Sequence, residues 1–163
     1  MGEVTKGSIE KSRPLSLWGP QTNRMKNAFA DADYWIALLN PLDQLHGKAC
    51  SISPRLRGVR IIRSEMVLVE VLAGLASKGH VLRQAAVKLV EQLRSNANVN
   101  IVPQTSIQFQ EALKLYKDRQ DKDWSLTDCA SILIMQAEGI SEALSYDKHF
   151  GQAGFTPLLR EGS

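Results

Sequence analysis

The stretch SLTDCASILIMQAEGISEALSYDKHF, residues 125–150, joins two apolar elements of different period. Residues 125–139 read as an apolar helix. Ser125 suits its N-cap, Asp128 its third position, and Gly139 the residue just past its C-terminus. Residues 142–146, EALSY, read as a short strand that ends at Asp147. A helix that runs straight into a buried strand is half of a β–α–β unit. It also leaves one carboxylate at the mouth of the helix and another at the exit of the strand.

The same alternation continues upstream. NAFAD (27–31) is a short apolar run of the kind a buried strand shows, and DYWIALLNP (33–41) is a short helix stopped by Asn40-Pro41. Residues 42–58 have helical spacing that Pro54 should break. VRII (59–62) is a second strand. Ser64 suits the N-cap of a helix over 65–78, with Gly79 ending it. Leu82, Ala85, Ala86, Leu89 and Leu93 share one face of the next helix. VNIV (99–102) is a third strand closed by Pro103, and residues 106–120 form another helix. GFTPL (154–158) is a short fifth strand. Short apolar strands alternating with helices predict an α/β domain on a mainly parallel sheet of four or five strands. Ligands then bind beyond the carboxyl ends of the strands.

The chain has 163 residues, 44% hydrophobic and 23% charged, with a formal net charge of +3. This suits one soluble domain with a sizeable core, and it permits a polyanionic partner without requiring one. Cys50 and Cys129 stand far apart, which argues against a zinc site or a disulfide framework and fits a reducing cytoplasm. No run is long enough to span a membrane. Residues 1–24 are polar and aperiodic, so they read as a flexible N-terminal extension. Residues 25–163 read as a single domain, with Met25 as an alternative start.

Four carboxylates stand out. Asp31 and Asp147 each follow a strand directly. Asp128 lies at a helix mouth. Glu70 lies within an apolar helix, flanked at helical spacing by Met66, Val67, Ala73 and Gly74. Each has a structural reading as well. Ser125-x-x-Asp128 matches a capping box, Asp31 and Asp147 suit turns, and Glu70 could pair with Arg63. Together they suggest a single site, because clustered carboxylates need a compensating cation. Carboxylate oxygens suit Mg²⁺ or Mn²⁺, and such a site activates water and stabilises a pentavalent phosphorus centre. The expected chemistry is phosphodiester hydrolysis.

AFADADYWIALLNPLDQLHGKA, RSEMVLVEVLAGL and DWSLTDCASILIMQAEGISEALSYDKHFGQAGF resemble the PIN-domain family, notably the VapC-like toxins of prokaryotic toxin–antitoxin systems. The resemblance runs from about Met25 to Leu158. It implies a three-layer α/β/α sandwich and a Mg²⁺- or Mn²⁺-dependent endoribonuclease. It matches Asp31, Glu70, Asp128 and Asp147 to the family's four acidic positions, with Asp31, Asp128 and Asp147 as metal ligands and Thr127 beside the third acid. It also implies a homodimer and a cognate antitoxin. Asp33 departs from the family pattern, which has a small polar residue there. It reads either as an N-cap for YWIALL or as an additional site residue.

Lys48, Arg55, Arg57, Arg60 and Arg63 form the densest basic stretch in the domain, read either as an RNA-phosphate surface or as a solvated face. Tyr34 and Trp35 read as core or dimer contacts, with stacking on a base as the alternative, and Cys129 as core. His149 reads as a turn residue bonding backbone, with a part in catalysis as the alternative. Two other functions remain open at this level. One is a non-catalytic RNA-binding or regulatory PIN module. The other is a different α/β metal-phosphatase or a DNA nuclease.

Overall fold

The computed structural model describes residues 27–160. The expected extension over 1–24 and the start at Met25 lie outside the described residues. Strand β1 (Asn27–Ala30) is followed by helices α1 (Ala32–Leu39) and α2 (His46–Ile52). A 3₁₀ turn (Ser53–Leu56), with Pro54 inside it, then leads to β2 (Arg60–Ser64). Next come α3 (Glu65–Ala76), α4 (His80–Ser95), β3 (Val99–Val102), α5 (Ser106–Asp118) and α6 (Leu126–Ala137). The chain closes with β4 (Glu142–Leu144), α7 (Lys148–Gln152) and β5 (Thr156–Pro157).

The sheet order is β3-β2-β1-β4-β5 and every pairing is parallel. The chain steps from β1 out to β2 and β3, then returns to the other side of β1. That reversal opens a crevice between the carboxyl ends of β1 and β4, where open parallel sheets bind ligands. Right-handed crossovers put α1–α4 on one face and α5–α7 on the other. The helix contacts agree, with α3 packed on α1 and α4, and α6 on α5 and α7. The result is the three-layer α/β/α sandwich.

Parallel strands covered on both faces must be apolar on both faces. Ala28, Phe29 and Ala30 of β1, Ile62 of β2, and Ala143 and Leu144 of β4 are all fully buried. Phe29 meets Phe150 of α7 at 6.1 Å between ring centroids, and Phe29→Ala would cost about 3–5 kcal/mol. A second apolar cluster, which includes Ala112, Trp124, Cys129 and Ile132, fills the space between α5 and α6. Tyr34 and Trp35 are buried in edge-on contact at 4.9 Å, as core residues.

Local signals explain most boundaries. The Ser64 and Ser125 side chains accept from the Val67 and Asp128 backbone N–H groups, and so cap α3 and α6. Gly139 takes φ +63° just past α6, a conformation L side chains resist. Gly79 differs from expectation. Helix α3 ends at Ala76, and Gly79, at φ +92°, is instead the residue that opens α4. Helix α7 is too short to carry a period. Strand β4 is shorter than expected, ending at Leu144, which releases Ser145 and Tyr146 into the crevice. No described helix is long and apolar enough to cross a membrane.

Candidate active site

Two groups of side chains meet at the crevice. The deeper one is Asp31, Asp33 and Ser145. Asp31 is 7% exposed and occupies the N-cap position of α1 without a side-chain capping bond. The expected role of Asp33 as that cap is therefore corrected. Asp33 lies inside α1 and reaches across to β4, where its Oδ2 accepts from the Tyr146 N–H at 2.6 Å. The buried Ser145 Oγ lies 3.1 Å from Asp31 Oδ2 and 3.0 Å from Asp33 Oδ2. One hydroxyl proton cannot serve both oxygens. Burial, then the charge of Asp33, pushes the Asp31 carboxyl well above its ordinary range. Burial lifts Asp33 to about 6 against the bonds from Tyr146 and Ser145. This geometry suits a pair that keeps a proton until a cation arrives.

The second group is Asp128, Asp147 and His149. Asp128 Oδ2 accepts from the Ser125 N–H at 2.7 Å while the Asp128 N–H donates to Ser125 Oγ at 3.0 Å, a reciprocal capping box. Asp147 caps α7 through the His149 N–H at 2.9 Å. The capping readings of Asp128 and Asp147 are thus both correct. They do not compete with a site, because the caps aim the carboxylates. His149 corrects its expected role as a backbone-bonding turn residue. Its Nδ1 lies 3.1 Å from Asp128 Oδ2 and 3.1 Å from Asp147 Oδ1. Donor atoms from these three residues lie within 4.8 Å of one another, close enough to share a metal ion. The two groups are tied together by the Asp147 N–H, which donates to Ser145 Oγ at 3.0 Å.

Glu70 approaches from α3 in the opposite layer. It is half-buried and faces the crevice. Burial pushes its carboxyl up, the Thr127 hydroxyl bonded to it pulls it partly back, and the charges of Asp128 and Asp147 push it up again. Asp31 in turn feels Glu70 and Asp128. Thr127 is itself buried at the start of α6. The pairing of Glu70 with Arg63 is absent. Among the described residues, no Lys or Arg lies within salt-bridge distance of any of these five carboxylates. The cluster is therefore rich in carboxylates and partly desolvated, with hard oxygen donors and only the His149 ring beside them. That donor set fits a divalent cation.

The basic stretch does not converge with the acids. Arg63 is fully buried, with its guanidinium 4.6 Å from the Trp35 ring centroid, so it cannot serve as a surface contact for phosphate. Arg55, Arg57 and Arg60 are exposed, but they lead into the amino end of β2. The acids lie at the carboxyl end of the sheet, about a strand length, roughly 15 Å, away. Lys48 is the exception, as its Nζ donates to the Leu159 carbonyl just past β5.

The PIN domain family profile matches residues 28–156, which includes all of these acids. The chain belongs to the PIN domain family. It is 28% identical over 134 residues to the 23S rRNA-specific endonuclease VapC20 of Mycobacterium tuberculosis, in strains CDC 1551 / Oshkosh and ATCC 25618 / H37Rv. That alignment covers 82% of this chain and 98% of the relative. The crystal structure of the M. tuberculosis VapC20, described as a Sarcin-Ricin loop cleaving toxin, superposes with a TM-score of 0.70 at 27% identity. It covers 79% of this chain and 96% of that one.

Two residues of this PIN domain escape a linear reading. Ser145 is a small polar residue at the end of an apolar strand run, and that placement was its one available signal. His149 follows Asp147 by two residues, a spacing shared by countless turns. Besides Asp147 close by, each has a distant partner, 114 residues away for Ser145 and 21 for His149.

Proposed function

We propose that this PIN domain is a divalent-metal-dependent endoribonuclease that hydrolyses RNA phosphodiester bonds, and that it acts as the toxin of a toxin–antitoxin pair. One observation carries the reading. Asp31, Glu70, Asp128 and Asp147, drawn from four separate places in the chain, face one crevice with no Lys or Arg among the described residues to balance them. The similarity to a 23S rRNA endonuclease makes structured ribosomal RNA the first substrate to try. A homodimer and a cognate antitoxin belong to the same reading. Their support is the family membership and the exposed Val69 and Leu72 on α3.

Asp31, Asp128 and Asp147 are the residues that would hold Mg²⁺, and a contribution from the His149 nitrogen would favour Mn²⁺. A bound divalent ion supplies a more acidic water and neutralises charge developing at phosphorus. The chain's own residues do the rest. The Ser125 cap and the Ser145 hydroxyl hold the carboxylates in place before substrate arrives. Glu70 combines solvent access with a raised proton affinity, so it suits the role of general base toward water. Asp33 adds charge to the deep end of the cluster and draws the Tyr146 backbone toward it.

The test is cleavage of defined ribosomal RNA fragments and a mixed RNA pool in Mg²⁺, Mn²⁺ or EDTA, with wild type and Asp31→Asn side by side. Cutting that requires metal and is lost in the variant supports the reading. Equal cutting by both proteins would sink it.

A further inference from the structure

A polyanionic substrate has to approach a cluster of five carboxylates, so cations must hold it nearby. The basic run over 55–63 is poorly placed for this, as shown above. The structure offers a different set. Tyr146 directly precedes Asp147, and its backbone N–H is bound by Asp33, yet its side chain is 44% exposed at the lip of the crevice. The Arg160 guanidinium lies 5.0 Å from the centre of its ring, and the Lys48 ammonium lies 6.0 Å from it.

The fold builds this arrangement deliberately. The segment after β5 runs alongside the segment after β4, with the Leu159 N–H donating to the Ser145 carbonyl at 3.1 Å. Arg160 then donates to the Tyr146 carbonyl at 3.4 Å, and Lys48 reaches from α2 to the Leu159 carbonyl at 3.3 Å. Three distant parts of the chain thus bring two cations to one exposed aromatic. Neither cation is paired with a carboxylate among the described residues. An exposed aromatic next to Arg and Lys is the combination single-stranded nucleic acid uses. Bases stack on the ring or the guanidinium plane, and the cations take the phosphates.

We infer that Tyr146, Arg160 and Lys48 form an RNA-anchoring subsite, which holds an unpaired nucleotide beside the scissile phosphate. This rests on the endoribonuclease reading for its substrate, but it is tested separately from cleavage. The subsite is sequence-tolerant, because every base has a face to stack. It would favour looped or unpaired RNA over a duplex.

The experiment measures binding of a fluorescein-labelled, mixed-sequence single-stranded RNA 12-mer in EDTA at low salt, by anisotropy. Wild type is compared with Tyr146→Ala, Tyr146→Trp and Arg160→Ala, with circular dichroism to confirm folding. Tyr146→Ala should weaken binding about tenfold, in the range for loss of one stacking platform. Tyr146→Trp should restore it. Arg160→Ala, at an exposed site outside the core, should weaken it severalfold and reduce its salt dependence. If wild type cleaves RNA, Tyr146→Ala should raise KM with little change in kcat. RNA binding by Tyr146→Ala and Arg160→Ala equal to wild type overturns the subsite and leaves the nuclease reading standing. Failure of wild type to bind the 12-mer also overturns it. Binding lost in the variants of a protein that never cuts upholds the subsite and removes the nuclease reading instead.

Discussion

Two regions of this protein bury charge, and they do so in opposite ways. At the crevice, Asp31 and Asp33 sit with three more acids at the open end of the sheet. In the sheet itself, Arg63 is alone, fully buried, with none of its guanidinium nitrogens hydrogen-bonded among the described residues. Its pKa is lowered by burial to about 10, and its one evident partner is the face of Trp35. Both regions defy the rule that buried charge is paired. The difference lies in convergence and access. The acids come from several elements and open to solvent, so a mobile cation can balance them. Arg63 comes from one strand and opens to nothing. A buried charge points to a site when it has company and an entrance.

Breaking the acid side should have the largest effect. Asp128→Asn keeps a capping side chain, so folding should survive, while metal-dependent RNA cleavage should fall by more than about 100-fold. That exceeds the roughly 10–100-fold typical of residues that only support metal ligands. Ser145→Ala sits in that supporting class. It removes the hydroxyl shared by Asp31, Asp33 and the Asp147 N–H, and cleavage rates should drop about 10–100-fold with the metal requirement retained.

Proton linkage gives a subtler test. Burial lifts Asp33 from its ordinary 3.8 to about 6. An acid with a raised folded-state pKa favours the folded state below about pH 4 and loses that contribution as pH rises through 6. The metal-free protein should therefore lose on the order of 3 kcal/mol across that window through Asp33, as read from urea unfolding in EDTA. Asp33→Asn should flatten the curve, and Mg²⁺ should restore stability at pH 7. A curve identical in the variant would show that Asp33 is not the group responsible.

The smallest effect tests the cation side. Arg63→Met replaces an unpaired buried charge with an apolar chain of similar length. It should raise stability by about 1 kcal/mol, the low end for such replacements because the contact with Trp35 is lost. Cleavage should be unchanged. Marked destabilisation would mean that the guanidinium has a partner.

The same contrast explains what could be read in advance. Strands, helices and the strand-exit positions of Asp31 and Asp147 follow from local apolar runs and breakers, so they were legible. So was the Ser125–Asp128 cap, which spans three residues. Of the two readings open for Asp33, the local one, capping α1, loses to a bond 113 residues away. Arg63 was grouped with its basic neighbours because a linear count of charge ignores that β2 lies between β1 and β3 and is covered on both faces. Its place near the end of a central parallel strand was the missed clue. Tyr146 was absorbed into an apparent strand two residues longer than the real one.

The link between Asp31 and Ser145 spans 114 residues. It forms only when β4 lies beside β1. Until then a growing polypeptide holds Asp31 and Glu70 but has neither Asp147 nor the second wall of the crevice. Only with β4 beside β1 are the acids of the two halves of the chain brought to one crevice.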